Sequence, residues 1–301
     1  MTVSVASEVR AALEAGQPVA ALESTIFTHG LPRPGNLAVA VEAEQLLRER
    51  GVVPATIGVV DGTAVVGLSA DLLEHLAENE DAVKLSVRDL PIAAPKGLSG
   101  GTTVAATAFL AHRAGIRVFA TGGVGGVHHG ASTSFDESAD LVVLASTPVV
   151  LVSAGAKSIL DIPATLERLE TLSIPVVGYR TSRFPGFYVV DSGIELEYSA
   201  DSPAEVAAMA RARDDLGLRS AIVVANPVPE DKQLDPVLHR QVLAEAWEAA
   251  AQQGVGGHDT TPFLLDHIRR ATGGRSLEAN VDAYRNDIVV AAAIARALAE
   301  S

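Results

Sequence analysis

The chain has 301 residues, a formal net charge of −14 and no cysteine. The lack of thiols excludes disulfides, thiolate metal sites and a cysteine nucleophile, and the acidic balance argues against binding to a nucleic acid polymer. A small phosphorylated ligand remains compatible with this charge, because a few backbone amides and one or two cations are enough to hold it. The apolar runs are too short for a membrane span, which needs about 20 residues, and we see no secretion signal. We therefore expect a cytoplasmic protein that does not enter a membrane.

Short apolar runs alternate along the chain with Ala- and Leu-rich stretches of helical periodicity. The runs predict buried strands and the stretches predict helices. The predicted strands are Pro18–Leu22, Thr56–Val60, Val118–Thr121, Val149–Ser153, Pro175–Gly178 and Ala221–Ala225, and the predicted helices are Leu37–Arg50, Thr102–Ala114, Ala164–Leu172, Ala204–Arg213, Val237–Gln253 and Ser276–Ala299. Asp61-Gly62, between two apolar runs, predicts one antiparallel hairpin. We expect a single α/β domain over residues 1–301, layered α/β/α, with a central, mostly parallel, mixed sheet.

Glu23 comes at the end of the first predicted strand and begins a dense polar segment, Glu23–Gly30. A carboxyl group directly after a buried strand is well placed to act as a general acid. The alternative is that Glu23 and Ser24 only cap the following turn. Spacing alone leaves both interpretations open.

A glycine-rich segment, Ala120–Gly130, follows the third predicted strand. Glycines let backbone amides approach an anion closely. Counted from Gly123 and Gly125, the third glycine of the dinucleotide fingerprint falls on His128, so that fingerprint fails. A tight structural turn is the alternative, although His128 and His129 favour a binding site.

Acidic residues follow the glycine-rich segment closely, in the run Phe135–Asp140. Carboxylate oxygens suit magnesium or manganese. The same pattern is also typical of a solvated acidic surface, so the run alone does not establish a metal site.

Lys157 follows the apolar strand within Val149–Asp161, at a point where a helix could begin. Ligands bind at the carboxyl ends of strands in open α/β sheets, so this lysine can face a crevice. The sequence fits a phosphate loop poorly, because Leu151 and Ala156 occupy the glycine positions of that motif. Small apolar neighbours could lower the pKa of the amine by desolvation and favour attack on a carbonyl carbon. The alternative is a solvated lysine at a helix start.

A series of motifs in the same order along the chain resembles the pseudouridine-5'-phosphate glycosidase family, also described as indigoidine synthase A-like. The similarity covers essentially the whole chain. The motifs are Ala21–Thr25, His29-Gly30, Arg88–Pro91, Thr121–His128, Phe135-Asp136, Ser138–Asp140, Ala154–Asp161, Val224–Pro227, Thr260–Leu265, Thr272–Gly274 with Ser276-Leu277, and Asn280.

This resemblance implies a lyase that reversibly converts pseudouridine 5'-phosphate and water into uracil and ribose 5-phosphate. It places the nucleophile on Lys157 and the proton donor on Glu23, with one divalent ion per subunit, usually Mn²⁺ but with Mg²⁺ or another ion as alternatives, on Asp136. It also implies a homotrimer. The substrate contacts implied are Lys84, Thr103, Val104, His128, Ser138, Ala139, Asp140 and Asn280.

The chemistry of a carbon-linked base explains why a lysine is needed. A base joined through carbon leaves less readily than one joined through nitrogen, so another electron sink is required. If the ribose ring opens, C1' can form an iminium with Lys157, and the bond to uracil C5 can break as Glu23 moves a proton. Two alternatives are a sugar or nucleoside kinase, whose phosphate-loop pattern is missing, and a sugar-phosphate binding protein without catalysis.

Overall fold

The computed structural model describes residues 1–255 and 260–300. Within them, eleven strands form one sheet. The strands are β1 (Val3–Val5), β2 (Val19–Glu23), β3 (Val53–Val60), β4 (Thr63–Val66), β5 (Val83–Leu85), β6 (Gly100–Thr102), β7 (Val118–Ala120), β8 (Val150–Ser153), β9 (Val176–Tyr179), β10 (Ser199–Ala200) and β11 (Ile222–Ala225). We predict a single domain over residues 1–301. Residues 256–259 and 301 of that range lie outside the described residues.

Helices lie between most of the strands. They are α1 (Ser7–Glu14), α2 (Gly35–Arg48), α3 (Ala70–Glu78), α4 (Leu90–Lys96), α5 (Val104–Ala114), α6 (Ala131–Ser134), α7 (Ala139–Leu144), α8 (Ile162–Thr171), α9 (Pro203–Asp215), α10 (Pro236–Gln252), α11 (Thr260–Ala271) and α12 (Arg275–Ala299). A π-helical turn, Ile26–Gly30, follows β2. None of the helices in the described part of the chain is long and apolar enough to cross a membrane.

The sheet is mixed but mostly parallel, as predicted. Its order is β1-β4-β3-β2-β7-β8-β11-β9-β10, and β6 extends it from β3 while β5 pairs with β6. Among the strands of the described residues, only the pairings of β3 with β4 and with β6 are antiparallel. Asp61 and Gly62 connect β3 to β4, both with positive φ (47° and 75°), which is the backbone of a tight hairpin turn. The hairpin prediction is confirmed.

Helices cover both faces of the sheet, and the alternation of side chains along β2 shows how. Ala20 and Leu22 pack into a core cluster with Tyr284 and Ile288 of α12. Ala21, which points to the other face, packs into a second cluster with residues of α5, α7 and α8. This is the expected α/β/α layering, and it buries β2 on both faces.

The predicted start of a helix at Lys157 is wrong. Helix α8 begins at Ile162, because the Asp161 side chain accepts a hydrogen bond from the N–H of Ala164 and a proline occupies the first turn. The sequence does not predict the short strands β1, β5, β6 and β10, because a strand of two or three residues is too short to show an alternating hydrophobic pattern.

Candidate active site

Three neighbouring parallel strands, β2, β7 and β8, end side by side and form the edge on which the site is built. Leu22, Ala120 and Val152 are paired in register across them. Glu23 is therefore the last residue of β2, and the segment leading to Lys157 leaves β8 two strands away. The carboxyl ends of parallel strands are the usual place for ligands in an open α/β sheet.

The loop that carries Lys157 is bonded along its backbone to the glycine-rich segment after β7. The N–H of Val124 donates to the carbonyl of Gly155 at 3.0 Å, and the N–H of Lys157 donates to the carbonyl of Val124 at 3.1 Å. A third bond, from the N–H of Asp161 to the carbonyl of Val127 at 2.9 Å, completes the series. The half-buried lysine is thus held by an extended loop and not by a helix.

Asp140 joins the glycine-rich segment to the N-terminus of α5. Its Oδ1 accepts a hydrogen bond from the N–H of Ala105 and its Oδ2 accepts one from the N–H of Gly125, each at 2.9 Å. A Cβ added to Gly125 would lie 2.3 Å from Ser138 Oγ and 2.7 Å from Asp140 Oδ2. Glycine is required here because the backbone passes directly against these two side chains.

Thr103, Val104, Ser138 and Ala139, four of the predicted contacts, lie at the starts of the two helices that Asp140 links. Thr103 caps α5, and Val104 is the buried first residue of that helix. Ser138 caps α7, and Ala139 begins it with an exposed side chain. The starts of two helices therefore lie close together at the site, and the positive end of the α5 dipole favours an anion there.

Burial raises the pKa of the Glu23 carboxyl, and this is the largest influence on it. The positive charges of Lys157 and Lys84 and a hydrogen bond from the Thr121 hydroxyl to Oε1 act in the opposite direction, while the charge of Asp140 adds to the rise. A buried carboxyl with a raised pKa keeps its proton to higher pH than usual, which is the state required of a proton donor.

Ser24, the polar residue directly after Glu23, has a structural role. Ser24 Oγ donates to the carbonyl of Ile57 at 2.6 Å and accepts from the N–H of Thr102 at 2.8 Å. Ser24 therefore ties β2 to β3 and β6 instead of capping a turn. The carboxyl of Glu23 takes no part in these bonds and points toward Thr121.

Lys84 belongs to the short strand β5 and lies among the charged groups of the site. Its side chain keeps solvent exposure, yet the protein atoms around it, together with the charge of Lys157, lower the pKa of its amine. The charges of Asp140 and Glu23 partly offset this lowering. Two lysines and two carboxyl groups thus act on one another electrostatically, a concentration of interacting groups that is typical of functional sites.

His128 and Asp136 form the side of the site next to α6. The N–H of His128 donates to the carbonyl of Asp136 at 3.0 Å. Burial lowers the pKa of His128, and the charge of Lys157 lowers it further, while Asp136 raises it. Its Nδ1 is buried and has no hydrogen-bond partner among the described residues.

A metal ion at Asp136 would be coordinated by few protein side chains. Among residues 1–255 and 260–300, no three His, Cys, Asp or Glu side chains are grouped to hold one. A half-buried carboxylate such as Asp136 fits a hard divalent ion whose other ligands are water and substrate oxygens.

Helix α12 lies against the glycine-rich segment and supplies Asn280. A Cβ placed on Gly122 would be 3.1 Å from Asn280 Oδ1, so this amide lies directly against the segment. Tyr284, one turn further along, is buried and within electrostatic reach of Glu23. The sequence predicts no role for Tyr284 or for Thr121; the position of Thr121 at the end of a predicted strand is the one available signal.

These features define an α/β enzyme whose lysine and buried carboxylic acid share the carboxyl edge of a parallel sheet. Residues 8–297 match the family model described as "Indigoidine synthase A like protein". The chain belongs to the indigoidine synthase A-like family.

Three similar proteins agree with this assignment. A pseudouridine-5'-phosphate glycosidase of Saccharopolyspora erythraea is 72% identical over 295 residues, which are 98% of this chain and 97% of that protein. The solved structure of the prealnumycin C-glycosynthase AlnA in complex with ribulose 5-phosphate has a TM-score of 0.93 at 35% identity, covering 100% of this chain and 98% of that one. An indigoidine synthase A-like protein from Thermotoga maritima has a TM-score of 0.90 at 37% identity, with coverages of 99% and 97%.

Proposed function

We propose that this enzyme reversibly cleaves the C-glycosidic bond of pseudouridine 5'-phosphate to give uracil and ribose 5-phosphate, through a Schiff base on Lys157. The observation that carries the proposal is the placement of Lys157 and the buried carboxyl of Glu23 at one edge of the sheet, where their charges act on each other. The curated relative at 72% identity bears the name of this activity.

The ligand of the structural neighbour supports an open-chain sugar. That structure contains ribulose 5-phosphate. This ketose cannot close a furanose ring, because its C5 oxygen is esterified with phosphate. A closely similar fold therefore accepts an acyclic pentose 5-phosphate, which is the form of ribose 5-phosphate that a lysine amine can attack.

The proposed reaction has three steps. The Nζ atom of Lys157 bonds to C1' as the bond from C1' to the ring oxygen breaks and that oxygen takes a proton. Glu23 then delivers a proton to uracil C5, and the bond between C1' and C5 breaks with its electron pair going to uracil, which leaves an iminium at C1'. Water adds to the iminium and releases ribose 5-phosphate and the free amine of Lys157.

The other residues of the site bind and orient the substrate. Lys84 supplies a positive charge suited to the phosphate, and the start of α5, at Thr103 and Val104, supplies the positive end of the helix dipole. Ser138 and Ala139 contact the substrate from the start of α7, His128 from the glycine-rich segment itself, and Asn280 from α12, which lies against that segment. Asp140 acts by fixing that segment.

A divalent ion, Mn²⁺ or Mg²⁺, belongs to the proposal as one ion per subunit on Asp136. Such an ion supplies positive charge that polarises substrate oxygens. The classification as a carbon–oxygen lyase, the homotrimer and the cytoplasmic location stay predictions.

Trapping the imine tests the function and the role of Lys157 together. The protein is mixed with ribose 5-phosphate, reduced with borohydride and weighed by mass spectrometry, and a peptide map locates the adduct. We expect one adduct on Lys157, none in Lys157→Ala, and an unchanged adduct in Lys96→Ala, which removes an exposed lysine at the end of α4. Normal turnover by Lys157→Ala without any adduct would refute the assignment.

A further inference from the structure

Thr121 occupies the central position of the strand edge on which the site is built. It follows β7 directly, between β2 and β8, and its N–H donates to the carbonyl of Val152 at 3.0 Å. Its side chain is completely buried. Because threonine is branched at Cβ, few side-chain rotamers are available to it in such a place, so its hydroxyl has a fixed direction.

The hydroxyl of Thr121 donates a hydrogen bond to Oε1 of Glu23. No other side-chain hydrogen bond reaches that carboxyl within the described ranges 1–255 and 260–300. Two buried hydroxyls on the neighbouring backbone are already used: Ser24 and Thr102 both donate to the carbonyl of Ile57, at 2.6 and 2.7 Å. Thr121 is therefore the group that decides which way the Glu23 carboxyl turns.

The remaining groups around Glu23 act on it by charge and not by a directed bond. Lys157 acts from the loop after β8, Lys84 from β5 and Asp140 from α7. Charge attraction draws the carboxyl toward the lysines without fixing its rotation. A glutamate has three rotatable side-chain bonds, and a proton donor must point its acidic oxygen at the reacting carbon to be effective.

We infer that Thr121 is a positioning residue of this reaction: by binding Oε1 of Glu23, its hydroxyl turns the other carboxyl oxygen toward the substrate. The inference rests on the proposed function, because it assigns Thr121 a role through the proton donor of that reaction. The hydroxyl carries no charge and acts through its hydrogen bond to Glu23.

The test compares Thr121→Val, which replaces the hydroxyl by a methyl of similar size, with Thr121→Ser, which keeps it. We expect kcat for pseudouridine 5'-phosphate to fall by about tenfold or more in Thr121→Val, a fraction of what general acid catalysis contributes, with KM changed by less than about threefold. Thr121→Ser restores most of kcat. The matched control is Thr147→Val, which removes a buried hydroxyl bonded to the carbonyl of Val143, at the other end of β8.

The pH profile separates positioning from a loss of packing. The hydrogen bond from Thr121 favours the carboxylate form of Glu23, so its removal raises the pKa of Glu23. The descending limb of kcat with pH, where the donor loses its proton, should move to higher pH in Thr121→Val and stay in place in Thr121→Ser and Thr147→Val. An unmoved limb in Thr121→Val would overturn the inference.

A double-mutant cycle with Glu23→Gln provides the second criterion. If Thr121 acts through Glu23, adding Thr121→Val to Glu23→Gln costs no further activity; an equal loss in both backgrounds would refute the inference. If Thr121→Val does not fold, Thr121→Ala removes the same hydroxyl and takes its place in both measurements. A wild-type protein that does not cleave pseudouridine 5'-phosphate would refute the proposed function, whereas an active wild type with an unchanged Thr121→Val refutes only the role of Thr121.

Discussion

The N–H of Lys157 donates a hydrogen bond to the carbonyl oxygen of Val124 at 3.1 Å. This bond belongs to the backbone, so it survives any change of the lysine side chain, and it fixes the backbone of Lys157 relative to the glycine-rich segment. The segment is fixed in turn by Asp140, which binds the N–H of Gly125. Disturbing this support should therefore reduce activity even when Lys157 itself is intact.

The first prediction concerns the close approach at Gly125. In Gly125→Ala the new Cβ would lie 2.3 Å from Ser138 Oγ, a contact that forces the segment to move. We expect a loss of about 1–3 kcal/mol in the free energy of unfolding, as overpacking usually costs, and a fall in kcat/KM of at least about tenfold. Urea denaturation and steady-state kinetics check both.

Gly35→Ala is the control for this substitution. Gly35 begins α2, has nothing within 4 Å of an added Cβ and does not have the positive φ that favours glycine. It should unfold at the wild-type urea concentration or above it, with normal kinetics. If Gly125→Ala behaved like Gly35→Ala, the close contact would have no functional importance.

The second prediction concerns the two hydrogen bonds accepted by Asp140. Asparagine has one side-chain acceptor oxygen, so in Asp140→Asn either Ala105 or Gly125 is left with an unpaired N–H. A buried unpaired group costs about 1–3 kcal/mol. We expect that loss in urea denaturation, together with reduced kcat/KM.

Asp235→Asn provides the comparison for Asp140→Asn. Asp235 caps α10 through a single hydrogen bond from the N–H of Leu238, which asparagine accepts equally well. The free energy of unfolding should change by less than about 0.5 kcal/mol. Equal stabilities of the two variants would contradict the bridging role of Asp140.

The sequence predicts those site residues whose position follows from the strand next to them in the chain. Glu23 ends an apolar run and Lys157 follows another, so the sequence places both at strand ends whatever the order of the strands in the sheet. The role of Thr121 depends on β2 and β7 being neighbours, which no local pattern reveals. Lys84 lies on a three-residue strand with no readable period, and only the family resemblance pointed to it.

In the loop after β8, a local sequence pattern predicts the wrong structure. Small residues before Lys157 are compatible with a helix start, and the sequence alone favours one. The structure uses the same residues for an extended pairing with the glycine-rich segment, in which Val124 bridges Ala156. Tertiary pairing overrode the local preference, and a pattern confined to one segment cannot show this.

The third prediction concerns the phosphate. Lys84→Met removes the charge but keeps a side chain of similar length, so binding of the phosphorylated substrate should weaken. We expect KM for pseudouridine 5'-phosphate to rise at least about tenfold, since a charged hydrogen bond contributes about 1.5–3 kcal/mol. The kcat/KM for pseudouridine without phosphate should change much less. Lys96→Met, at an exposed position, is the control, and an equal effect on both substrates would assign Lys84 a different role.

The fourth prediction uses pH to test a buried acid beneath the site. Asp287 of α12 is completely buried; its Oδ1 accepts from Asn226 Nδ2 at 2.8 Å, and its Oδ2 has no hydrogen-bond partner among the described residues. Burial raises the pKa of this carboxyl well above its usual value of 3.8. The folded protein therefore keeps a proton that the unfolded chain releases near pH 4.

It follows that Asp287 reduces stability progressively as the pH rises above about 4, until its pKa in the folded state is reached. Asp287→Asn keeps an acceptor for Asn226 and does not titrate. The free energy of unfolding of Asp287→Asn minus that of wild type should therefore increase with pH. The increase is up to about 1.4 kcal/mol per pH unit over the range in which Asp287 has lost its proton in the unfolded chain but keeps it in the folded protein. Urea denaturation of both proteins at each pH from about 4 to 8 measures this difference. Parallel curves for wild type and Asp287→Asn would show that Asp287 is ionised in the folded protein, with a counter-charge that outweighs its burial.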